Sequence, residues 1–155
     1  MINQRLFDHY GIDTTKNLEL GIVCARPYDT VLIDKQGSCY ACECTSWLPQ
    51  SIGNLQLRSL TEIVGSDMHQ HLRGSVNDRS YRYCNEKQCS YLKAQCITPV
   101  TDQHIKHLRL AIDESCNLKC PSCRKRLIFH KEGPAYKLGI RLADKINEWL
   151  YSYDR

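Results

Sequence analysis

Ten cysteines in 155 residues are the first chemistry this sequence offers. The tightest group is Cys116-Asn117-Leu118-Lys119-Cys120-Pro121-Ser122-Cys123, directly after an alternating stretch over 107–113 that predicts a strand. Three thiolates this close together can fold around one corner of a cubane and give one ligand to each of three irons. The fourth iron then keeps an open position that can bind and activate a small molecule. Zinc is the alternative: it takes thiolates readily, but a structural zinc site needs four protein ligands, so a distant Cys or His would have to complete this loop. The upstream cysteines are spread more widely, and a four-thiolate zinc site is an equally direct use of them.

Compartment decides between metal and disulfide. The N-terminal MINQRLFDHYGID has no apolar core region and no cleavage site, and the longest apolar run, Leu20 to Ala25, is far too short to span a bilayer. The expectation is a cytoplasmic protein whose thiols bind metal and whose partners include neither membrane nor nucleic acid. The net charge of +4 is mild, and no dense basic stripe accompanies it. With 42% hydrophobic and 25% charged residues the chain is foldable.

The elements that would position the cysteines read as follows. Residues 1–17 form a loose lead-in with a short helix over Gln4 to His9. Val31 and Ile33 alternate through Asp29 to Asp34, Asp34-Lys35-Gln36-Gly37 makes a turn, and Ser38 to Cys42 returns, which predicts a β-hairpin with cysteines at its far end. Ser59-Leu60-Thr61-Glu62 is a capping box. Leu60, Ile63, Val64, Met68 and Leu72 then recur at helical spacing, predicting one amphipathic helix that Gly74 stops. Residues 81–96 predict a loop with a helical turn, and 99–106 a linker. Two helices are expected after the cysteine loop, Arg124 to His130 and Ala135 to Tyr151, the second with Leu138, Leu142, Ile146, Trp149 and Leu150 on one face. Cys39 and Cys96 are read as packing thiols, Trp47 and Trp149 as packing residues, and Tyr81 and Tyr83 as a shield beside Cys84. His69, His71, His104 and His107 are read as solvated. Lys119, Arg124, Lys125 and Arg126 would surround the loop with positive charge.

The stretch LRLAIDESCNLKCPSCRK, residues 108–125, resembles the first strand and cluster loop of radical S-adenosylmethionine (SAM) enzymes, with Ser122 where that family commonly has an aromatic residue. The resemblance implies that Cys116, Cys120 and Cys123 hold a [4Fe-4S] cluster whose open iron chelates S-adenosyl-L-methionine. Residues 24–64, from CARPYDTVLIDKQGSC to SLTEIV, together with LRGSVNDRSYRYCNEKQCSYL, are similar to a SPASM or twitch auxiliary-cluster domain. That likeness implies that Cys24, Cys42, Cys84 and Cys89 hold a second [4Fe-4S] cluster, with Cys44 as the alternative to Cys42.

The resulting expectation is an α+β chain in four parts: the lead-in 1–17, an auxiliary-cluster module 18–98, the linker 99–106, and over 107–155 the first strand, loop and helices of a partial (β/α) barrel. The chemistry implied is reductive cleavage of SAM to a 5′-deoxyadenosyl radical that abstracts hydrogen from a substrate such as a peptide. Only 32 residues follow Cys123, so a partner protein completing the barrel is expected, or the chain is a remnant. A non-enzymatic electron-transfer or peptide-binding cluster module and a zinc-binding adaptor are the alternatives.

Overall fold

The computed structural model describes residues 24–43, 48, 51–78, 80–85, 87–93, 104–116, 118, 120, 122 and 127–153. Pro27 sits in a single helical turn, α1 (Arg26–Asp29), and the chain passes at Thr30 into strand β1 (Thr30–Asp34). The β-branched Thr30, Val31 and Ile33 favour this extended path. Asp34 then closes the turn, since its Oδ1 accepts from the backbone N–H of Gln36 at 2.9 Å and of Ser38 at 2.8 Å. Gly37 takes φ +78°, where a side chain would be strained.

Strand β2 (Ser38–Tyr40) runs back antiparallel with Cys39 opposite Ile33, and β3 (Gly53–Asn54) pairs with its far side. Strand β4 (His107–Ala111) lies parallel to β1, with Thr30 opposite His107 and Asp34 opposite Ala111. The result is a four-stranded mixed sheet in the order β3-β2-β1-β4. Among the described residues the remaining helices are α2 (Leu60–Val64), α3 (Asp67–Asn77), α4 (Ser90–Lys93) and α5 (Gly133–Tyr153). Among the described residues the architecture is therefore mixed α/β, with five helices and one four-stranded sheet.

The main core joins both ends of the described chain. Val31, Ile33 and Cys39 of the sheet pack with Leu55, Leu60 and Ile63, and with Leu142 and Ile146 from α5. Two glycines allow the close approach: a Cβ at Gly53 would lie 2.9 Å from Ile63 Cγ1, and one at Gly37 would lie 2.8 Å from Leu142 Cδ2. Lys145 of α5 adds a polar tie, donating to the Leu55 carbonyl at 2.7 Å.

Several expectations are corrected. The helix over 60–72 is two helices, because the hydroxyl of Ser66 accepts from the His69 N–H and starts a second one, which runs on through Gly74 to Asn77. Residues 127–130 are not helical: Ile128 bridges to Cys116, with the Cys116 N–H donating to the Ile128 carbonyl at 2.8 Å. Gly133 and Pro134 open the last helix rather than preceding it, as expected of proline in a first turn. Leu150, placed on the covered face, is 44% exposed, although Leu142 and Ile146 are buried. The lead-in helix over 4–9, Trp47, Lys119 and Arg124 to Arg126 lie outside the described residues. Among the described residues no helix is long and apolar enough to cross a membrane.

Candidate metal centre

A second, smaller apolar cluster lies apart from the main core. Tyr28, Val76, Tyr81, Cys89 and Leu92 are buried in it, and Cys24, Cys84 and Tyr91 pack against it. Three of the four predicted upstream ligands therefore share one apolar site. Each is carried by a short, internally bonded turn. Cys24 leads directly into α1. Cys84 follows Tyr81, whose φ of +46° is a rare conformation for a bulky residue and whose carbonyl accepts the Cys84 N–H at 2.8 Å. The Tyr81 N–H in turn donates to the Ser75 carbonyl at 2.8 Å, which pins the turn to α3. Cys89 donates its N–H to the Asn85 carbonyl at 2.8 Å just before α4.

The fourth, Cys42, stands past the end of β2 and packs against the main core. Among the described residues no three of the Cys, His, Asp and Glu side chains form a ready-made site for one ion. Cys44 lies outside the described residues. In the downstream loop Cys116 is half-buried and Cys120 exposed, while Cys123 lies outside the described residues. Cys39 is fully buried on the sheet, as read from the hairpin. Burial first, then the charge of Asp34, pushes its thiol up to about 12, in keeping with a thiol packed in the main core.

The donor set suits a soft metal group. Burial raises the Cys24 thiol most, and the neighbouring charge of Cys89 raises it further; the backbone N–H and the guanidinium of Arg26 act the other way. Two thiolates side by side in an apolar site repel each other, and a thiophilic cation or cluster binding both relieves the repulsion and displaces both protons. Cys24 and Cys89 are close enough to feel each other's charge, and Cys84 packs on the same apolar cluster.

Helix α3 holds the Cys24 segment from behind through groups the sequence reading missed. His69, read as solvated, is fully buried: its Nε2 lies 2.6 Å from the Pro27 carbonyl and its Nδ1 lies 2.7 Å from the Val64 carbonyl. Arg73 donates from Nε to the same Pro27 carbonyl at 3.0 Å and stacks 5.0 Å above the Tyr28 ring. Its Nη2 is buried without an acceptor. The Tyr28 hydroxyl donates to Asn77 Oδ1 at 2.5 Å, closing the attachment of α1 to α3. The signal was present in the spacing: His69, Leu72, Arg73 and Val76 fall at i, i+3, i+4 and i+7, one helical stripe.

These turns and their spacing have a counterpart. Residues 24–90 match the family model of SPASM, an iron–sulfur cluster-binding domain. The SPASM segment thus spans β1 to β3, helices α1 to α3 and the three cysteines of the smaller cluster, and it implies iron–sulfur cluster binding. The expected auxiliary-cluster likeness is borne out at that level. Neither a curated protein nor a solved structure matches the chain.

Proposed function

We propose that the protein holds a [4Fe-4S] cluster on Cys24, Cys42, Cys84 and Cys89, and a second on Cys116, Cys120 and Cys123 with one iron left open for S-adenosyl-L-methionine. The observation that carries the first half is the gathering of Cys24, Cys84 and Cys89 in one apolar cluster inside the SPASM segment. Cys42 enters by a movement of the chain past Tyr40, since it has only Ala41 between it and the end of β2. The second half is supported by the order strand, then cysteine loop: β4 ends at Ala111, and Asp113 Oδ1 accepts the Ser115 N–H at 2.8 Å, turning the chain toward Cys116.

When bound, such clusters supply one-electron chemistry, and at the open iron they place SAM for reductive cleavage. The protein's own groups do the rest. Tyr28, Tyr81 and Leu92 exclude water from the upstream thiols, and α3 fixes the Cys24 turn through Pro27. We place the chain as one part of a radical SAM enzyme that acts on a peptide-like substrate in the cytoplasm. A partner protein would add strands to the open edge of β4, where Leu110 is 51% exposed.

The test is anaerobic reconstitution with iron and sulfide, followed by metal and sulfide analysis and EPR of the reduced protein with and without SAM. The expected result is about eight irons and eight sulfides per chain, with a SAM-dependent change in one signal. About four irons and no response to SAM would leave an electron-transfer module, and zinc without sulfide would overturn the reading.

A further inference from the structure

Arg26 stands two residues after Cys24, and its guanidinium is held by two neutral hydroxyls. Nη2 donates to Tyr91 Oη at 2.6 Å, and Nη1 donates to Thr30 Oγ1 at 3.2 Å. The group also stacks 4.9 Å above the Tyr91 ring. Tyr91 packs on the apolar cluster that carries Cys24, Cys84 and Cys89, so the stack sets the charge against the wall of that site. Arg26 also feels the carboxylate of Asp29 and, after it, that of Glu43, the residue after Cys42. Glu43 itself is paired with Arg109 at 2.8 Å.

One fixed cation therefore lies against the wall of the site that gathers three of the cysteines. Its hydrogen bonds go to uncharged partners, and among the described residues no carboxylate lies within ion-pair distance of it. A half-buried guanidinium with neutral partners keeps its field available to a nearby anion, in surroundings where charges act more strongly than in water.

We propose that Arg26 is a positioning residue that sets the electron affinity of the group bound at Cys24, Cys42, Cys84 and Cys89, and that Tyr91 and Thr30 hold it in place for this. The inference rests on the cluster reading above. A cubane with four thiolate ligands is anionic, and taking one electron from an external reductant adds one negative charge with no bond made or broken. A cation held beside it favours the reduced form.

The experiment is a redox titration of the reconstituted full chain with dithionite and mediators, followed by EPR, on the wild type, Arg26→Gln, Arg26→Lys and Tyr91→Phe. Iron and sulfide contents are measured on the same samples. Arg26→Gln is expected to make reduction of the upstream cluster about tenfold less favourable, a fall of about 59 mV for a one-electron couple. Arg26→Lys should restore most of the shift, because it keeps the charge. Tyr91→Phe removes only the hydroxyl acceptor and should give an intermediate fall, so it carries the test if Arg26→Gln fails to fold. The inference is overturned alone if the wild type holds the cluster and its potential moves less than twofold in equilibrium terms in Arg26→Gln or, where that variant does not fold, in Tyr91→Phe. Wild-type protein that takes up no iron and sulfide overturns both this inference and the cluster reading.

Discussion

The two cysteine regions are built on different principles. The turns that carry Cys24 and Cys84 are tied to α3 through the Pro27 carbonyl and the Tyr81 N–H, Cys89 is tied to Asn85, and aromatic side chains pack around all three. Around Cys116 and Cys120 the chain is exposed, tied at the Cys116 to Ile128 bridge and by the Ser115 hydroxyl, which accepts the His130 N–H at 2.9 Å. Packing gathers three of the four upstream cysteines and leaves Cys42 on the main core. Among the described residues of the downstream loop, Leu118 and Cys120 are exposed. Burial gives the first region stability, and exposure gives the second access.

The largest contrast comes from removing ligands one region at a time. Cys89→Ala is expected to abolish the upstream cluster, about half of the bound iron, and to lower the thermal midpoint of the metal-free chain, because Cys89 is buried. Cys116→Ala should remove the other half and leave that midpoint nearly unchanged. Iron analysis with calorimetry of both forms checks this, and equal destabilisation by the two would erase the contrast.

Next in size is Leu142→Ala. The fully buried Leu142 of α5 packs on the sheet that carries the upstream site. The cavity should cost about 3 kcal/mol in urea unfolding, whereas the 47% exposed Ile140 on the same helix should cost under about 0.5 kcal/mol when changed to Ala. Equal costs would mean that α5 is not anchored in the shared core.

His69 sharpens the comparison through pH. Burial first, and then the Arg73 charge, hold its imidazole below the ordinary value, against the pull of the Pro27 and Val64 carbonyls. The unfolded chain therefore binds a proton more readily near pH 6.5, so the stability this site contributes is complete above that pH. It is lost as pH falls toward the folded-state value. Each unit of depression corresponds to about 1.4 kcal/mol. Urea midpoints at pH 7.5 and 5.0 should fall on acidification in the wild type and fall less in His69→Gln.

The smallest expected effect is Ser59→Ala. It opens the capping box in which Ser59 and Glu62 exchange hydrogen bonds, and it should cost about 1 kcal/mol with iron binding intact.

Local signals in the sequence carried the hairpin, the capping box at Ser59 and the buried Cys39, because each depends on residues close in the chain. The break at Gly65 and Ser66 was hidden because the apolar spacing of Leu60, Ile63, Met68 and Leu72 runs straight across it. His69 looked solvated because one of its partners, the Pro27 carbonyl, comes from a distant turn. The gathering of Cys24 with Cys84 and Cys89 depends on the same long-range contact between α1 and α3. The auxiliary-cluster likeness pointed to four cysteines, of which the fold brings three into one apolar cluster, and nothing local separates Cys42 from them or seats Arg26 on Tyr91.

The parallel pairing of β1 with β4 has a consequence for the order of events during synthesis. Thr30 to Asp34 emerges from the ribosome long before His107 to Ala111, its neighbour in the sheet. Until β4 arrives, the finished hairpin presents one bare β1 edge, a template for pairing with other chains. Slow synthesis or truncation before His107 should therefore show itself first as aggregation.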